Sequence, residues 1–170
     1  RMTKLSNVIT KIEEVIMAVL MGILTVIMVV AVIFRYFLAN PIPWATEVSI
    51  YLFIWFSFIG GSWGLKFGTQ AAVTFLLDAL SENKKRILKI VQDIIMLLFL
   101  VIILFYSMKW LMLPSTMLQK SISLGIPMWI PYSAVPTGIL FATVHIIARL
   151  IRLFKNEETL QENEIGDELV

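Results

Sequence analysis

Four long stretches almost free of charge decide what kind of fold this chain can adopt. Val15 to Phe34 carries no charged side chain, and neither does Val48 to Leu65. Ile94 to Met108 is likewise uncharged and is lengthened at its start by Ile87, Leu88, Ile90 and Val91. Ser121 to Ala148 contains no Asp, Glu, Lys or Arg. A helix rises ~1.5 Å per residue, so roughly 20 residues cross a ~30 Å hydrocarbon core. A soluble domain of 170 residues cannot hide four such segments. Hydrophobic content of 59% and a mean hydropathy of +0.87 agree. The expectation is an all-α integral membrane protein, one four-helix domain over residues 1–155. Its spans should lie at about 15–36, 46–66, 87–109 and 129–151.

Composition removes several functions. A net charge of +2 is too small to point to nucleic acid. The chain has no cysteine, which excludes thiolate catalysis, iron–sulfur clusters and Cys-ligated zinc. His145 is the single histidine, and a multi-His metal site needs more. Nine Met residues spread over apolar helices read as gap-filling packing. No segment places Ser/His/Asp or paired carboxylates at a shared depth. The chain therefore reads as a non-enzyme without a cofactor. Residues 15–34 are too long, and lack a small-residue cleavage site, to be a removable signal peptide.

Basic residues set the expected orientation. The N-terminal segment, the second loop and the C-terminal flank together carry eleven: Arg1, Lys4, Lys11, Lys66, Lys84, Lys85, Arg86, Lys89, Arg149, Arg152 and Lys155. The other side carries three: Arg35, Lys109 and Lys120. This imbalance predicts both termini in the cytoplasm. Tyr36, Trp44, Trp110, Trp129 and Tyr132 fall at the outer ends of spans, where amphipathic rings settle. Leu5, Val8, Ile9, Ile12 and Ile16 recur at helical spacing and predict an in-plane amphipathic helix leading into the first span. Asn40 to Pro43 reads as a tight outer turn, since two prolines cannot continue a helix. Residues 70–80 read as a short helix at the cytoplasmic face. The tail, residues 156–170, holds six of the twelve acids and is expected to be disordered.

Several residues are candidates for more than span-building. Gly60, Gly64 and Gly68 lie four apart, and Ser57 widens the same patch. Small residues at this spacing let helix backbones approach, within the chain or against another subunit. Lys89 and Asp93 also lie four apart and share a helix face, as an intramembrane ion pair would. Arg35 and Glu47 flank the outer turn, where they either bridge one another or face a periplasmic partner. Pro127, Pro131 and Pro136 each remove a backbone donor. They start the fourth helix near Pro131 with Pro136 as a kink, or they build a re-entrant stretch before it. His145 reads as an interface or hydrogen-bonding residue.

Some of these residues recur in a recognisable order. Phe34-Arg35-Tyr36-Phe37 comes first, then Pro43-Trp44 with Glu47, then Gly60-Gly61. Leu124-Gly125-Ile126-Pro127-Met128-Trp129-Ile130-Pro131-Tyr132 and Pro136-Thr137-Gly138 follow. In this the chain resembles the small membrane subunit of tripartite ATP-independent periplasmic (TRAP) transporters, the DctQ-like family. It departs from the family pattern at Thr46, where an acid is common, and over Gly68 to Thr74, where a His and an Asp are common. The resemblance implies two partners, a large multi-spanning membrane subunit and a periplasmic substrate-binding protein. It implies sodium-coupled secondary import of organic acids such as C4-dicarboxylates or sialic acid. The small subunit would act as scaffold and bilayer anchor for an elevator-type large subunit. Trp44, Trp129 and Tyr132 would anchor the outer interface, and Arg35 and Glu47 would fix the outer turn or meet the periplasmic protein. The rival reading is a self-sufficient homo-oligomeric transporter or channel that uses Asp93.

Overall fold

The computed structural model describes residues 2–67 and 82–155. Among the described residues six helices follow one another: α1 (Met2–Tyr36), α2 (Pro43–Phe67), α3 (Glu82–Leu111), α4 (Pro114–Leu118), α5 (Trp129–Tyr132) and α6 (Ala134–Lys155). Among the described residues four segments are long and apolar enough to cross a membrane: Thr3–Tyr36, Pro43–Phe67, Lys84–Leu111 and Trp129–Lys155. Gly68, the short helix expected at 70–80 and the acidic tail at 156–170 lie outside the described residues.

The N-terminal segment differs from the sequence expectation in one respect. No break separates an in-plane helix from the first span; α1 is a single helix of 35 residues. At ~1.5 Å per residue it is about 52 Å long, well beyond a ~30 Å hydrocarbon core. Its first turns are amphipathic with the polar stripe inward. Ser6, Thr10 and Glu13 are buried, whereas Leu5, Val8, Ile12 and Val15 are exposed.

Helix α6 is the hub. It packs against α2, α3 and α1, and α1 packs against α2. Half of the apolar stretch of the fourth span is buried, against none of the first. Ile139, Ala142, Ile146 and Leu150 of α6 meet Leu100 of α3 in the core, flanked by Leu65, Ile90, Leu97 and Leu104. The outward sides of α1 and α3 are lined with exposed Val, Ile, Leu and Phe. In water such a surface would be intolerable, but hydrocarbon or a neighbouring apolar helix satisfies it.

A Cβ on Gly138 would lie 2.7 Å from the Phe58 carbonyl oxygen of α2. Ala134, Gly138 and Ala142 form a buried small-residue stripe on α6, four residues apart. Gly60 meets only the Met17 sulfur at ordinary contact, a Cβ on Gly61 would meet nothing, and Ser57 is exposed.

The three prolines are placed by the break before α6. Pro136 sits in the first turn of α6. Lacking an N–H, it leaves the Tyr132 carbonyl without a helical donor. The helix is interrupted there, at Ser133, while Ser133 N still donates to Trp129 O and Thr137 N to Ser133 O. Pro131 is buried within the short α5, and Pro127 forms an antiparallel bridge with Lys120.

Candidate functional site: polar clamps at the two ends of the bundle

At the end where α1 turns into α2, Glu47 organises the loop between α4 and α5. That loop is a small hairpin. Met128 N donates to Gln119 O (2.9 Å), Lys120 bridges Pro127, and Ser121 N donates to Ile126 O (2.8 Å). Gly125 closes its turn at φ +69°, a region that costs residues with a Cβ. The turn presents two backbone donors, and Glu47 accepts both, Ile122 N at 3.2 Å and Ser123 N at 2.9 Å. Tyr51, one turn further along α2, donates to the same carboxylate at 2.5 Å. A carboxylate holding three donors is a strong local tether, because charge-assisted bonds exceed neutral ones. Glu47 therefore does not bridge Arg35, which is exposed and makes no ion pair among the described residues. Trp44 and Trp129 are exposed at this end, and the Tyr132 ring packs against Trp110 at 5.0 Å between centroids, tilted by 54°.

At the opposite end the polar groups tie all four spans together. Asp93 of α3 takes its partner from α6: Arg149 Nε and Nη2 donate to its two oxygens. Sequence spacing offered Lys89 as a neighbour for Asp93, and the structure adds Arg149 from a distant helix. A same-helix lysine lies along the helix surface, whereas the guanidinium fork reaches across and holds both oxygens at once. Arg149 Nη1 also donates to Leu65 O in the last turn of α2 (2.9 Å). Arg86 of α3 donates to Leu153 O in the last turn of α6 (2.7 Å). These arginines tie α3 and α6 to backbone carbonyls near the described ends of α2 and α6. Trp63 of α2 donates to Glu14 of α1 at 3.1 Å.

A third cluster is fully buried. His145 of α6 lies between two residues of α1: its Nδ1 is 2.7 Å from Ser6 Oγ and its Nε2 is 3.0 Å from Glu13 Oε2. Ser6, Glu13 and His145 are at most 1% exposed. The hydrogen-bonding role read for His145 thus has partners, but sequence reasoning passed over Glu13 and Ser6. A signal existed. Ser6, Thr10 and Glu13 fall at i, i+4 and i+7, a polar stripe on an otherwise apolar helix. The Ser–His–Glu order imitates a hydrolytic triad, yet the hydroxyl is sealed from solvent and from any substrate. Its capacity is structural, holding α1 to α6. Among the described residues no three His, Asp or Glu side chains converge as a metal-ligand set.

Comparison with known proteins places these features in a family. The family profile described as "Tripartite ATP-independent periplasmic transporters, DctQ component" matches residues 24–156. The chain belongs to this family of TRAP transporter small subunits. It is therefore a multi-pass inner-membrane protein of a transport system and not an enzyme. The sialic acid TRAP transporter small permease protein SiaQ of Vibrio cholerae is 27% identical over 154 residues, covering 89% of this chain and 86% of that one. The C4-dicarboxylate TRAP transporter small permease protein DctQ of the same organism is 25% identical over 158 residues, covering 80% and 68%. The isethionate TRAP transporter permease protein DctMQ of Oleidesulfovibrio alaskensis is 25% identical over 107 residues, covering 63% of this chain but 17% of that protein.

Proposed function

We propose that this chain is the non-catalytic scaffold and membrane anchor of a sodium-coupled TRAP importer for organic acids of the C4-dicarboxylate or sialic acid type. One observation carries the reading. The side-chain bonds near the two ends of the bundle, with the buried Ser6, His145 and Glu13, clamp its own helices together, while the long apolar sides of α1 and α3 remain open. A body that is cross-tied internally and apolar outside suits a fixed support for a moving partner. The partner is a large multi-spanning subunit holding the substrate and sodium sites, and a soluble periplasmic protein delivers the substrate. The low coverage of the isethionate permease supports the pairing, since there a segment like this one forms a small part of a much longer permease chain.

Both termini face the cytoplasm in this proposal, on the strength of the basic residues at that end. The Glu47-held hairpin then faces the periplasm. Ile122 at its tip is fully exposed and, with Trp44, forms the surface offered to the delivering protein. Gly60, Gly64, Gly68 and Ser57 remain proposed as a packing patch for the large subunit. The rival use of Asp93 as a coupling group has no observation in its favour, because Arg149 holds both its oxygens.

The test is extraction from native membranes in mild detergent with this chain tagged at its C-terminus, followed by mass spectrometry and reconstitution. The expected result is a stoichiometric large membrane subunit, and sodium-driven uptake that needs both chains and the soluble binding protein. Purification of this chain only with copies of itself, together with solute movement in liposomes, would overturn the proposal.

A further inference from the structure

We propose that the groove between α1 and α2 is a phospholipid site, with one acyl chain along its apolar walls and the lipid phosphate on Arg35. The groove encloses about 430 Å³. Leu24, Met28 and Val32 line it from α1, and Ile50 and Phe53 from α2, with Arg35 and Thr46 at one end. Ala31 and Ser49 keep it open, since both are small. Ser49 leaves no unmet polar group inside, because its hydroxyl donates to Ala45 O at 2.7 Å.

The dimensions match one leaflet. Leu24 and Arg35 lie eleven residues apart on one helix, a rise of about 16 Å. Half of a ~30 Å hydrocarbon core is about 15 Å. With Leu24 near the midplane, Arg35 stands at phosphate depth in the leaflet on the side of the α1–α2 turn. The charge matches too. Arg35 is exposed in the last turn of α1, and the nearby acid, Glu47, is occupied by Ile122, Ser123 and Tyr51. A guanidinium fork is suited to phosphate.

The experiment uses the transporter complex, or this chain with whatever copurifies, in nanodiscs of phosphatidylcholine and phosphatidylglycerol. A phosphatidylglycerol with a photoactivatable diazirine midway along one acyl chain is the probe, and labelled peptides are mapped by mass spectrometry. Labelling is expected to concentrate on residues 24–32 and 49–53, at least fivefold above the exposed face of α3. Arg35→Gln and Ala31→Phe should each abolish that excess, whereas Lys109→Gln, another exposed cation, should leave it intact. Wild-type labelling that is equal on the groove and on α3 would mean boundary lipid only and would overturn the proposal without recourse to a variant. Loss with Arg35→Gln but not with Ala31→Phe would reduce the effect to surface charge. Protection of the groove by a copurifying protein would replace the lipid with that protein. None of these outcomes depends on whether the complex transports an organic acid.

Discussion

Replacing Gly138 by Ala tests whether α2 and α6 meet through bare backbone. The added Cβ would sit 2.7 Å from the Phe58 oxygen and 2.8 Å from its carbonyl carbon and Cβ. Ordinary contact begins at 3.4 Å, so the shortfall is about 0.7 Å. The first two atoms are backbone, and no side-chain rotation relieves the clash. The helices must part, and α6 is the helix on which the other three pack. Overpacking of a tight site costs about 1–3 kcal/mol. Alanine returns up to about 1 kcal/mol through its better helix propensity. The net loss is about 1–2 kcal/mol, which for a chain of this size lowers the melting temperature by about 2–8 °C. Thermal unfolding in a single detergent, followed by circular dichroism, reads this directly. Gly61→Ala is the internal control, because its Cβ meets nothing, and it should melt no lower than wild type. If Gly138→Ala melts with wild type, or if Gly61→Ala falls equally, close contact at Gly138 is not what seats α6.

Two further outcomes follow from the clamps. Glu47→Gln keeps the side chain's size but turns an amide NH2 toward one of the hairpin's backbone donors. It should cost about 1–3 kcal/mol. Hydrogen exchange at the Ile122 and Ser123 amides should accelerate at least tenfold, and unchanged protection would show that the carboxylate does not hold the hairpin. His145→Leu leaves the Glu13 carboxylate buried without its partner. Breaking one side of a buried pair costs about 3–5 kcal/mol. Adding Glu13→Leu removes the stranded group and should restore most of the melting temperature; a double variant no more stable than the single would refute a coupled pair.

The spans were legible because hydrocarbon imposes a strict demand on local composition: a crossing helix must be long and apolar, and charge counts along the chain report this without any knowledge of neighbours. The apolar run of Val15–Phe34, the turn at Asn40–Pro43 and the start of the fourth span near Trp129 are properties of contiguous residues. So is the order of motifs that ties the chain to its family. The pairings were less legible. Gly60, Gly64 and Gly68 have the spacing of a packing face, but no such spacing pointed to Gly138 on α6, where an added Cβ would lie 2.7 Å from the Phe58 oxygen. Lys89 has the spacing of a partner for Asp93, but nothing along the chain pointed to Arg149, 56 residues away, which donates to both oxygens. Spacing along one helix tells which side chains share a face, and nothing about which helix that face meets.

Sequence alone thus determined the solvent this protein lives in, the number of its crossings and its family, since each depends on composition within a segment or on motif order. Only the tertiary structure decided which polar groups stabilise the bundle. Glu47 on the hairpin, Arg149 on Asp93 and His145 between Ser6 and Glu13 are each fixed by the mutual rotation of helices distant in sequence. That rotation is a property of the packed assembly: it is set where α6 can approach α2 closely enough for Gly138 to touch backbone.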